Sequence, residues 1–202
     1  MTKELPVVET FQSVQGEGIH AGRGAFFIRL AGCNVGCHWC DTKNSWRSDL
    51  HPKQDVNELA KQAAKAEKSG TAIIVITGGE PLNHNLDDLT EAIRTRCELP
   101  IHIETSGVDA ISGKPNWITL SPKRHKPPRI DLLTACDELK VVIFDEKDLE
   151  FAKQCAKQAS QAAWLLQPGW ENEKGQEIAI LHTQSQPKWR LSLQSHKWLK
   201  VR

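Results

Sequence analysis

The sequence predicts an α/β protein whose mostly parallel sheet forms a partial, incomplete TIM-like βα barrel. Apolar runs of the kind found in buried strands alternate with amphipathic helical segments, which is the pattern of strands joined by helical crossovers. The chain has 202 residues, whereas a complete eight-stranded βα barrel usually needs roughly 250. We therefore expect about six strands with a reduced set of helices. No linker or internal repeat divides the chain, so residues 1–202 are expected to form one domain.

The first elements can be placed from local patterns. The segment AFFIRL at 25–30 is rich in aromatic and β-branched residues and predicts a strand. Asp55 and Glu58 resemble a capping box, and apolar positions then recur at helical spacing until Gly70, which predicts a helix. The continuous apolar run AIIVIT at 72–77 is typical of a strand that is buried on both faces.

The same alternation continues to the end of the chain. It predicts a helix near 86–97, strands at 101–105, 117–120 and 139–144, a helix near 148–161, and strands at 163–167 and 189–193. In parallel βα proteins, ligands collect at the carboxyl ends of the strands. Here those ends read CNVGCHWC, TGGEP, ETSG, SPK and QPGW, which are rich in small, polar or metal-ligating residues. The sequence thus predicts a functional site along this edge of the sheet.

Charge and composition exclude several classes of protein. The 26 Lys and Arg residues nearly balance the 25 Asp and Glu residues, so no global field attracts nucleic acid or an anionic membrane. No apolar stretch reaches the ~18 to 20 residues of a membrane span, and no secretory signal is recognisable at the start. We expect a cytoplasmic protein. The basic run KRHKPPR at 123–129 resembles a nucleic-acid patch, but its two prolines favour a rigid surface segment, and we predict no RNA binding.

Six cysteines are present, and only three of them have the spacing of ligands. In a reducing compartment, cysteines are more often ligands, catalytic thiols or buried small residues than disulfide partners. Cys33, Cys37 and Cys40 form the pattern C-x-x-x-C-x-x-C on a loop that follows the first predicted strand. The other three are isolated and are predicted to be buried packing residues: Cys97, Cys136 and Cys155.

The cysteine cluster narrows the chemistry. Structural zinc usually takes four ligands from two separated pairs, and the chain offers no second pair, while His38 between two ligands would strain the loop. A four-iron cluster held by three cysteines leaves one iron open for a non-protein ligand. The spacing, with Trp39 before the last cysteine, is similar to the signature of radical S-adenosylmethionine (SAM) enzymes. This resemblance implies a [4Fe–4S] cluster whose open iron binds SAM and whose electron cleaves SAM to a 5′-deoxyadenosyl radical.

The loops after later strands extend this resemblance. TGGEP at 77–81 is similar to the glycine-rich motif of radical SAM enzymes, in which backbone groups receive the methionine amino group, here at Gly79. Taken alone, Gly-Gly and Ser-Pro are ordinary turn sequences. The resemblance implies further SAM contacts from two loops: Ser121, Pro122, Lys123, Gln167, Pro168, Gly169 and Trp170.

Residues 11–46 closely resemble the 7-carboxy-7-deazaguanine synthase family, as do ETSG, LSPK, ELKVVI, LLQP and LQSHKWL. The likeness covers nearly the whole chain. It implies conversion of 6-carboxy-5,6,7,8-tetrahydropterin to 7-carboxy-7-deazaguanine with loss of ammonia, on the route to queuosine. The radical would take a hydrogen atom from the carbon that bears the carboxylate and return it after ring contraction. Magnesium, a flavodoxin or ferredoxin as electron donor, and a homodimer are also implied.

The resemblance assigns residues to the substrate. Its guanine-like edge suits Val14, Gln15 and Gly16, and Glu104 would accept from the ring amine and amide. Arg29 resembles the family's carboxylate-binding arginine, although spacing alone fits an ordinary strand arginine equally well. The remaining implied contacts are Thr42 as a magnesium ligand and Thr77, His196 and Arg202 at the substrate. Arg202 departs from the family's terminal proline, and its backbone would keep the contact.

Two other interpretations remain open at this point. A glycyl-radical activating enzyme shares the cysteine spacing, but it would bind a partner polypeptide and should lack QGEG, Arg29 and LQSHKW. A non-catalytic zinc or redox module would be indifferent to SAM.

Overall fold

The computed structural model describes residues 3–202. The strands are β1 Glu4–Val14, β2 Gly24–Leu30, β3 Lys53–Asp55, β4 Ile73–Gly78, β5 Ile101–Thr105, β6 Trp117–Leu120, β7 Glu138–Ile143, β8 Ala163–Pro168 and β9 Trp189–Leu191. The α-helices are α1 Val56–Lys68, α2 Asp87–Arg94, α3 Ile130–Ala135, α4 Glu146–Gln158, α5 Glu173–Ser185 and α6 Ser195–Leu199. Short 3₁₀ turns cover Lys43–Trp46, Ser48–Leu50 and Pro81–Asn83.

The strands form one sheet in the order β3-β1-β2-β4-β5-β6-β7-β8-β9. Strand β2 and strands β4 to β9 pair in parallel along this row, whereas β1 runs antiparallel to both β2 and β3. Since β3 and β9 lie at opposite ends of the row, the barrel is open. The predicted α/β class, parallel sheet and incomplete barrel are confirmed, and all seven predicted strands are found.

Two strands were not predicted. The 11-residue β1, ELPVVETFQSV, begins with the short apolar stretch LPVV and then carries mostly charged and polar residues, many of them half buried. It therefore lacks the continuous apolar run that marks the central parallel strands. The edge strand β3 has three residues and presents no pattern that could reveal it.

The helices were predicted less accurately than the strands. Asp55 caps α1 by accepting from the backbone N–H of Asn57 at 2.7 Å, but Glu58 bonds Lys61, so the predicted capping box is wrong. Helix α2 ends at Arg94 instead of residue 97. Helix α5, EKGQEIAILHTQS, was missed because its apolar residues do not form one clear stripe.

The two faces of the sheet have different roles. Between the outer face and the helices lies the main apolar core, which includes Leu139, Val141 and Ile143 of β7. Because side chains alternate along a strand, Lys140 and Val142 point to the opposite, interior face and line a cavity. Cys97, Cys136 and Cys155 are buried, as predicted. No helix within residues 3–202 is long and apolar enough to cross a membrane.

The loop after β1 fills the barrel interior beneath this cavity. Gly18 N donates to Ser192 Oγ at 3.0 Å, and Ile19 N donates to Glu138 Oε2 at 2.9 Å. The His20 ring packs against the rings of His102 and Trp117, with centroids 4.6 Å away in both cases. His102 and Trp117 stand at the start of β5 and β6, so this loop closes the amino-terminal end of the barrel.

Acid should weaken this closure. Burial lowers the pKa of His102 to about 4, and the charges of His20 and Arg23 act in the same direction. The unfolded chain, with a histidine pKa near 6.5, therefore binds more protons, so stability falls as pH drops from 6.5 towards 4. We expect a loss of about 2 kcal/mol from this residue between pH 7 and 5. Urea unfolding at the two pH values measures it.

The variant His102→Gln is the control. It removes the titrating ring while keeping a polar side chain of similar length, so its unfolding free energy should change less between pH 7 and 5. An undiminished pH dependence in this variant would show that His102 is not responsible.

Candidate functional site

A cavity of about 670 Å³ opens at the carboxyl ends of the parallel strands. All of the predicted site residues line it except Pro122 and Pro168. Pro168 follows Gln167 in β8, and the alternation of side chains along a strand directs the proline away from the cavity. Pro122 is buried, and its two neighbours in the chain, Ser121 and Lys123, line the cavity.

The cysteine loop follows β2 and is held at its start by the next short helical turn. Gly32 N donates to Ser45 O at 2.7 Å, and Cys33 N donates to Trp46 O at 3.1 Å. Cys33 and Cys40 are half buried and Cys37 is buried. Burial raises the pKa of the Cys37 thiol, Lys123 lowers it, and the neighbouring Cys33 and Cys40 raise it further. All three cysteines line the cavity.

The donor set suits an iron–sulfur cluster, because Cys33, Cys37 and Cys40 all line the cavity. Cysteine thiolates are the usual ligands of such clusters.

The TGGEP loop packs directly on the cysteine loop. Gly79 N donates to Leu30 O at 3.0 Å, and Glu80 N donates to Gly32 O at 2.8 Å. A side chain at Gly79 would collide with the backbone of Gly32 and with Cys33. The absence of a Cβ at this position is therefore what lets the two loops meet.

Glu80 ties a third loop to this pair. Its carboxylate is almost fully buried and accepts from Leu82 N at 3.1 Å, from Ser106 N at 2.8 Å and from the Thr105 hydroxyl. No role was predicted for Glu80 from the sequence. A carboxylate directly after a buried strand, among glycines and proline, was the available signal.

The basic segment 123–129 lies against the cysteine loop. His125 Nε2 lies 3.1 Å from Val35 O, and Lys126 Nζ donates to Asn34 O at 2.7 Å. Two other members are engaged by carboxylates: Arg124 with Asp148 at 2.9 Å and Arg129 with Asp131 at 2.9 Å. The segment therefore supports the cysteine loop.

The predicted SAM contacts other than Pro122 and Pro168 line the cavity. Lys123 Nζ donates to the backbone O and the hydroxyl of Ser121, at 2.8 and 2.7 Å, and burial lowers the pKa of this lysine. Gln167 is buried and accepts from Ser192 Oγ at 2.9 Å. Gly169 faces the Phe144 ring, which a side chain at that position would strike. Trp170 stands at the mouth, edge-on to Trp198.

Glu104 also lines the cavity and is held by two neighbours. Gln15 Nε2 donates to Glu104 Oε1 at 2.8 Å, and Thr77 Oγ1 donates to Oε2 at 3.1 Å. The carbonyl oxygen of Gln15 accepts from Glu17 N at 3.1 Å. Both polar groups of the Gln15 side chain are thus engaged within the protein, so this side chain orients Glu104. Each Glu104 oxygen retains a further lone pair for a ligand.

Arg29 is oriented by Glu9. Arg29 Nε donates to Glu9 Oε1 at 3.1 Å, and its guanidinium lies over the Phe11 ring at 5.7 Å. The terminal nitrogens NH1 and NH2 make no hydrogen bond within the described part of the chain, which suits them to a planar carboxylate. Arg202 contacts the same carboxylate, with NH2 3.3 Å from Glu9 Oε2. The Arg202 backbone oxygen accepts from Ser13 Oγ.

The C-terminal helix brings His196 into the cavity. Ser195 N and Oγ both donate to Gly16 O at 2.9 Å, so α6 docks on the loop after β1. The His196 ring lies against Gly16, where a Cβ would collide with it. Thr42 lies across the cavity near the cysteines, with Oγ1 3.6 Å from Cys40 Sγ.

Comparison with known proteins decides the family. Residues 27–121 match the radical SAM superfamily. The 7-carboxy-7-deazaguanine synthase of Prochlorococcus marinus is 52% identical, with both chains fully covered. The Synechocystis protein of the same name is 45% identical over 100% of this chain and 96% of that protein. The chain belongs to the 7-carboxy-7-deazaguanine synthase family.

A solved structure agrees with this assignment. The crystal structure of QueE from Escherichia coli has a TM-score of 0.83 and 31% identity, covering 96% of this chain and 95% of that one. Radical SAM proteins use a [4Fe–4S] cluster with SAM, so the cofactor prediction is confirmed for these two groups. Membership in the 7-carboxy-7-deazaguanine synthase family also rules out the two alternative interpretations, a glycyl-radical activating enzyme and a zinc or redox module.

A buried ion pair in this cavity was not predicted from the sequence. Lys140 and Glu17 are paired, and Gln194 Nε2 donates to the other Glu17 oxygen at 2.9 Å. Burial opposes ionisation of Glu17, but Lys140 overcomes it and lowers its pKa to about 2. Lysine within the apolar strand ELKVVI was the signal for a buried charge.

Removing one partner should be costly. We expect Lys140→Met to lower the free energy of unfolding at pH 7 by about 3 kcal/mol, because Glu17 then stays buried without its cation. The double variant Glu17→Gln, Lys140→Met should recover much of that loss. Urea unfolding of both single variants and the double variant measures the coupling. Additive effects of the two substitutions would contradict an energetic link between these residues.

Proposed function

We propose that the chain converts 6-carboxy-5,6,7,8-tetrahydropterin to 7-carboxy-7-deazaguanine with loss of ammonia. One observation carries this proposal. The cysteine loop and the TGGEP loop are joined through Glu80 N and Gly32 O, and they face a cavity that also holds Arg29 and Glu104. One side of the cavity therefore suits a cluster with SAM, and the other suits a carboxylated, guanine-like ring. We propose that residues 1–202 act as one domain.

The protein's contribution is positioning and exclusion of water. When bound, the cluster and SAM supply a carbon radical that removes a hydrogen atom from the substrate. Cys33, Cys37 and Cys40 hold the cluster, and the backbone at Gly79 receives the SAM amino group. The other proposed SAM contacts are Ser121, Pro122, Lys123, Gln167, Pro168, Gly169 and Trp170. Pro122 and Pro168 would act through the backbone of their loops, since neither lines the cavity.

The substrate is held at both ends. Arg29 offers two parallel N–H donors from NH1 and NH2 to the substrate carboxylate, while its Nε stays with Glu9. Glu104 accepts from the ring amine and amide, and its orientation is fixed by Gln15 and Thr77. The remaining proposed contacts are Val14, Gln15, Gly16, Thr77, His196 and Arg202. Polar recognition of this kind rejects analogues that leave a buried group unpaired.

Thr42 is the proposed magnesium ligand. Magnesium prefers oxygen donors and often takes only one or two from the protein, with substrate and water completing the shell. Thr42 Oγ1 lines the cavity close to Cys40. The neighbouring carboxylate of Asp41 is paired with Lys197 at 3.0 Å. Thr42 would thus hold the ion through its hydroxyl oxygen, close to Cys40.

The wider setting follows from the same chemistry. The proposed one-electron reduction needs a donor, for which we propose a flavodoxin or ferredoxin, and a cytoplasmic location fits such a partner. We also propose a homodimer. Exposed apolar side chains near the C-terminus, at Leu193, Trp198 and Leu199, support an interface there. We propose no contact with nucleic acid or membrane, because the substrate is a free pterin.

Anaerobic reconstitution tests the function. The protein loaded with iron and sulfide should convert carboxytetrahydropterin to 7-carboxy-7-deazaguanine in the presence of SAM, a reductant and magnesium, as measured by mass spectrometry. Cys33→Ala, Cys37→Ala and Cys40→Ala should each abolish SAM cleavage. Cys136→Ala serves as the matched control, because that thiol is buried away from the site. SAM cleavage without conversion of this substrate would overturn the proposal.

Arg29 tests substrate recognition separately. Arg29→Gln should lower kcat/KM by about 100-fold, because a charge-assisted pair with the carboxylate is lost. Arg29→Lys keeps the charge but loses the forked geometry, so it should recover only part of the activity. Steady-state kinetics measures both. Cluster content and SAM binding should be unchanged, and an unaltered kcat/KM for Arg29→Gln would remove the arginine from the site.

A further inference from the structure

One side chain outside the predicted site bonds directly to a cysteine sulfur. Trp46 Nε1 lies 3.4 Å from Cys40 Sγ and donates a hydrogen bond to it. The tryptophan is half buried and lines the cavity. An indole N–H can only donate, so it favours a negatively charged acceptor such as a thiolate.

The backbone explains why the indole is aimed at this sulfur. The turn Lys43–Trp46 accepts from Gly32 N and Cys33 N at the start of the cysteine loop. Ser45, which is fully buried, donates from its hydroxyl to Thr42 O at 2.6 Å. These bonds fix the backbone of Trp46 beside the beginning of the loop, while its side chain reaches Cys40 at the end. The turn therefore forms hydrogen bonds with both ends of the cysteine loop.

We propose that Trp46 is a positioning residue that also raises the reduction potential of the cluster. Taking up one electron from an external donor adds one negative charge to the irons and their sulfur ligands. A donor hydrogen bond to a ligating sulfur stabilises the more negative state. The cluster with Trp46 in place is therefore easier to reduce than a cluster without it.

Trp46 can be separated from the other donors in this region. Val35 N donates to Cys33 Sγ at 3.4 Å, and this backbone bond does not depend on the indole. Thr42 Oγ1 lies 3.6 Å from Cys40 Sγ, where either atom can donate. Trp46→Phe removes one N–H donor from Cys40 and leaves an aromatic ring to fill the space.

This inference rests on the proposed function, because it takes Cys40 as a cluster ligand. Failure of this inference can be distinguished from failure of the proposed function. If Cys40→Ala keeps a normal cluster, the ligand assignment falls. If Cys40 is required and Trp46→Phe leaves the potential unchanged, only the role of Trp46 falls.

The test is a redox titration of the reconstituted protein without SAM, followed by electron paramagnetic resonance. Trp46→Phe should shift the midpoint to a more negative value, of the order of 59 mV for a tenfold smaller equilibrium constant of one-electron reduction. Trp164→Phe is the matched control, since the Trp164 indole N–H donates to Ala159 O and the residue does not line the cavity. Its midpoint should equal that of the unaltered protein.

A second measurement covers a variant that assembles poorly. The midpoint is independent of how many molecules carry a cluster, so an unchanged midpoint overturns the proposal at any iron content. If Trp46→Phe forms no cluster, fluorotryptophan placed at position 46 alone supplies a more acidic indole N–H in a side chain of nearly the same shape. That protein should show a midpoint shifted to more positive values, and no shift would overturn the proposal.

Discussion

The packing of two backbones against each other, at Gly32 and Gly79, is the constraint on which the site depends. The hydrogen bond from Glu80 N to Gly32 O joins the loops that follow β2 and β4, and no side chain fits between them. Glu80 then extends the connection to the loop after β5 through its buried carboxylate. Three loops from neighbouring parallel strands are therefore fixed relative to one another before any ligand binds.

Rigidity of this kind matches the chemistry of the family. A reactive carbon radical attacks whatever lies near it, so the cluster loop and the substrate must be held in a set geometry. The cysteine loop is accordingly supported from two sides, by the turn that ends at Trp46 and by Lys126 on Asn34 O. The residues proposed to bind the substrate are supported in a similar way, with Glu9 bonded to Arg29 and Gln15 bonded to Glu104.

The open barrel also has to be filled from within. A barrel closed on all sides can pack its interior with apolar layers, but this one carries charged residues at Lys140 and Glu138 on its inner face. The loop after β1 supplies partners for both residues, because Glu17 pairs with Lys140 and Ile19 N donates to Glu138. The same loop brings Gln15 and Gly16 to the cavity, so closure of the barrel and the proposed binding of the substrate depend on one segment.

The parallel sheet, the role of the cysteine motif and most of the residues around the cavity could be predicted from the sequence. Buried parallel strands have continuous apolar runs, and ligand-binding loops carry unusual residue types at fixed spacing, so both are visible locally. Strand β1, helix α5 and the pairs Glu17–Lys140 and Trp46–Cys40 were not predicted. Glu17 and Lys140 are 123 residues apart, and their contact exists only because the barrel brings them together. Only the tertiary structure decides such partners, because a polar side chain in the sequence does not reveal what will satisfy it after burial.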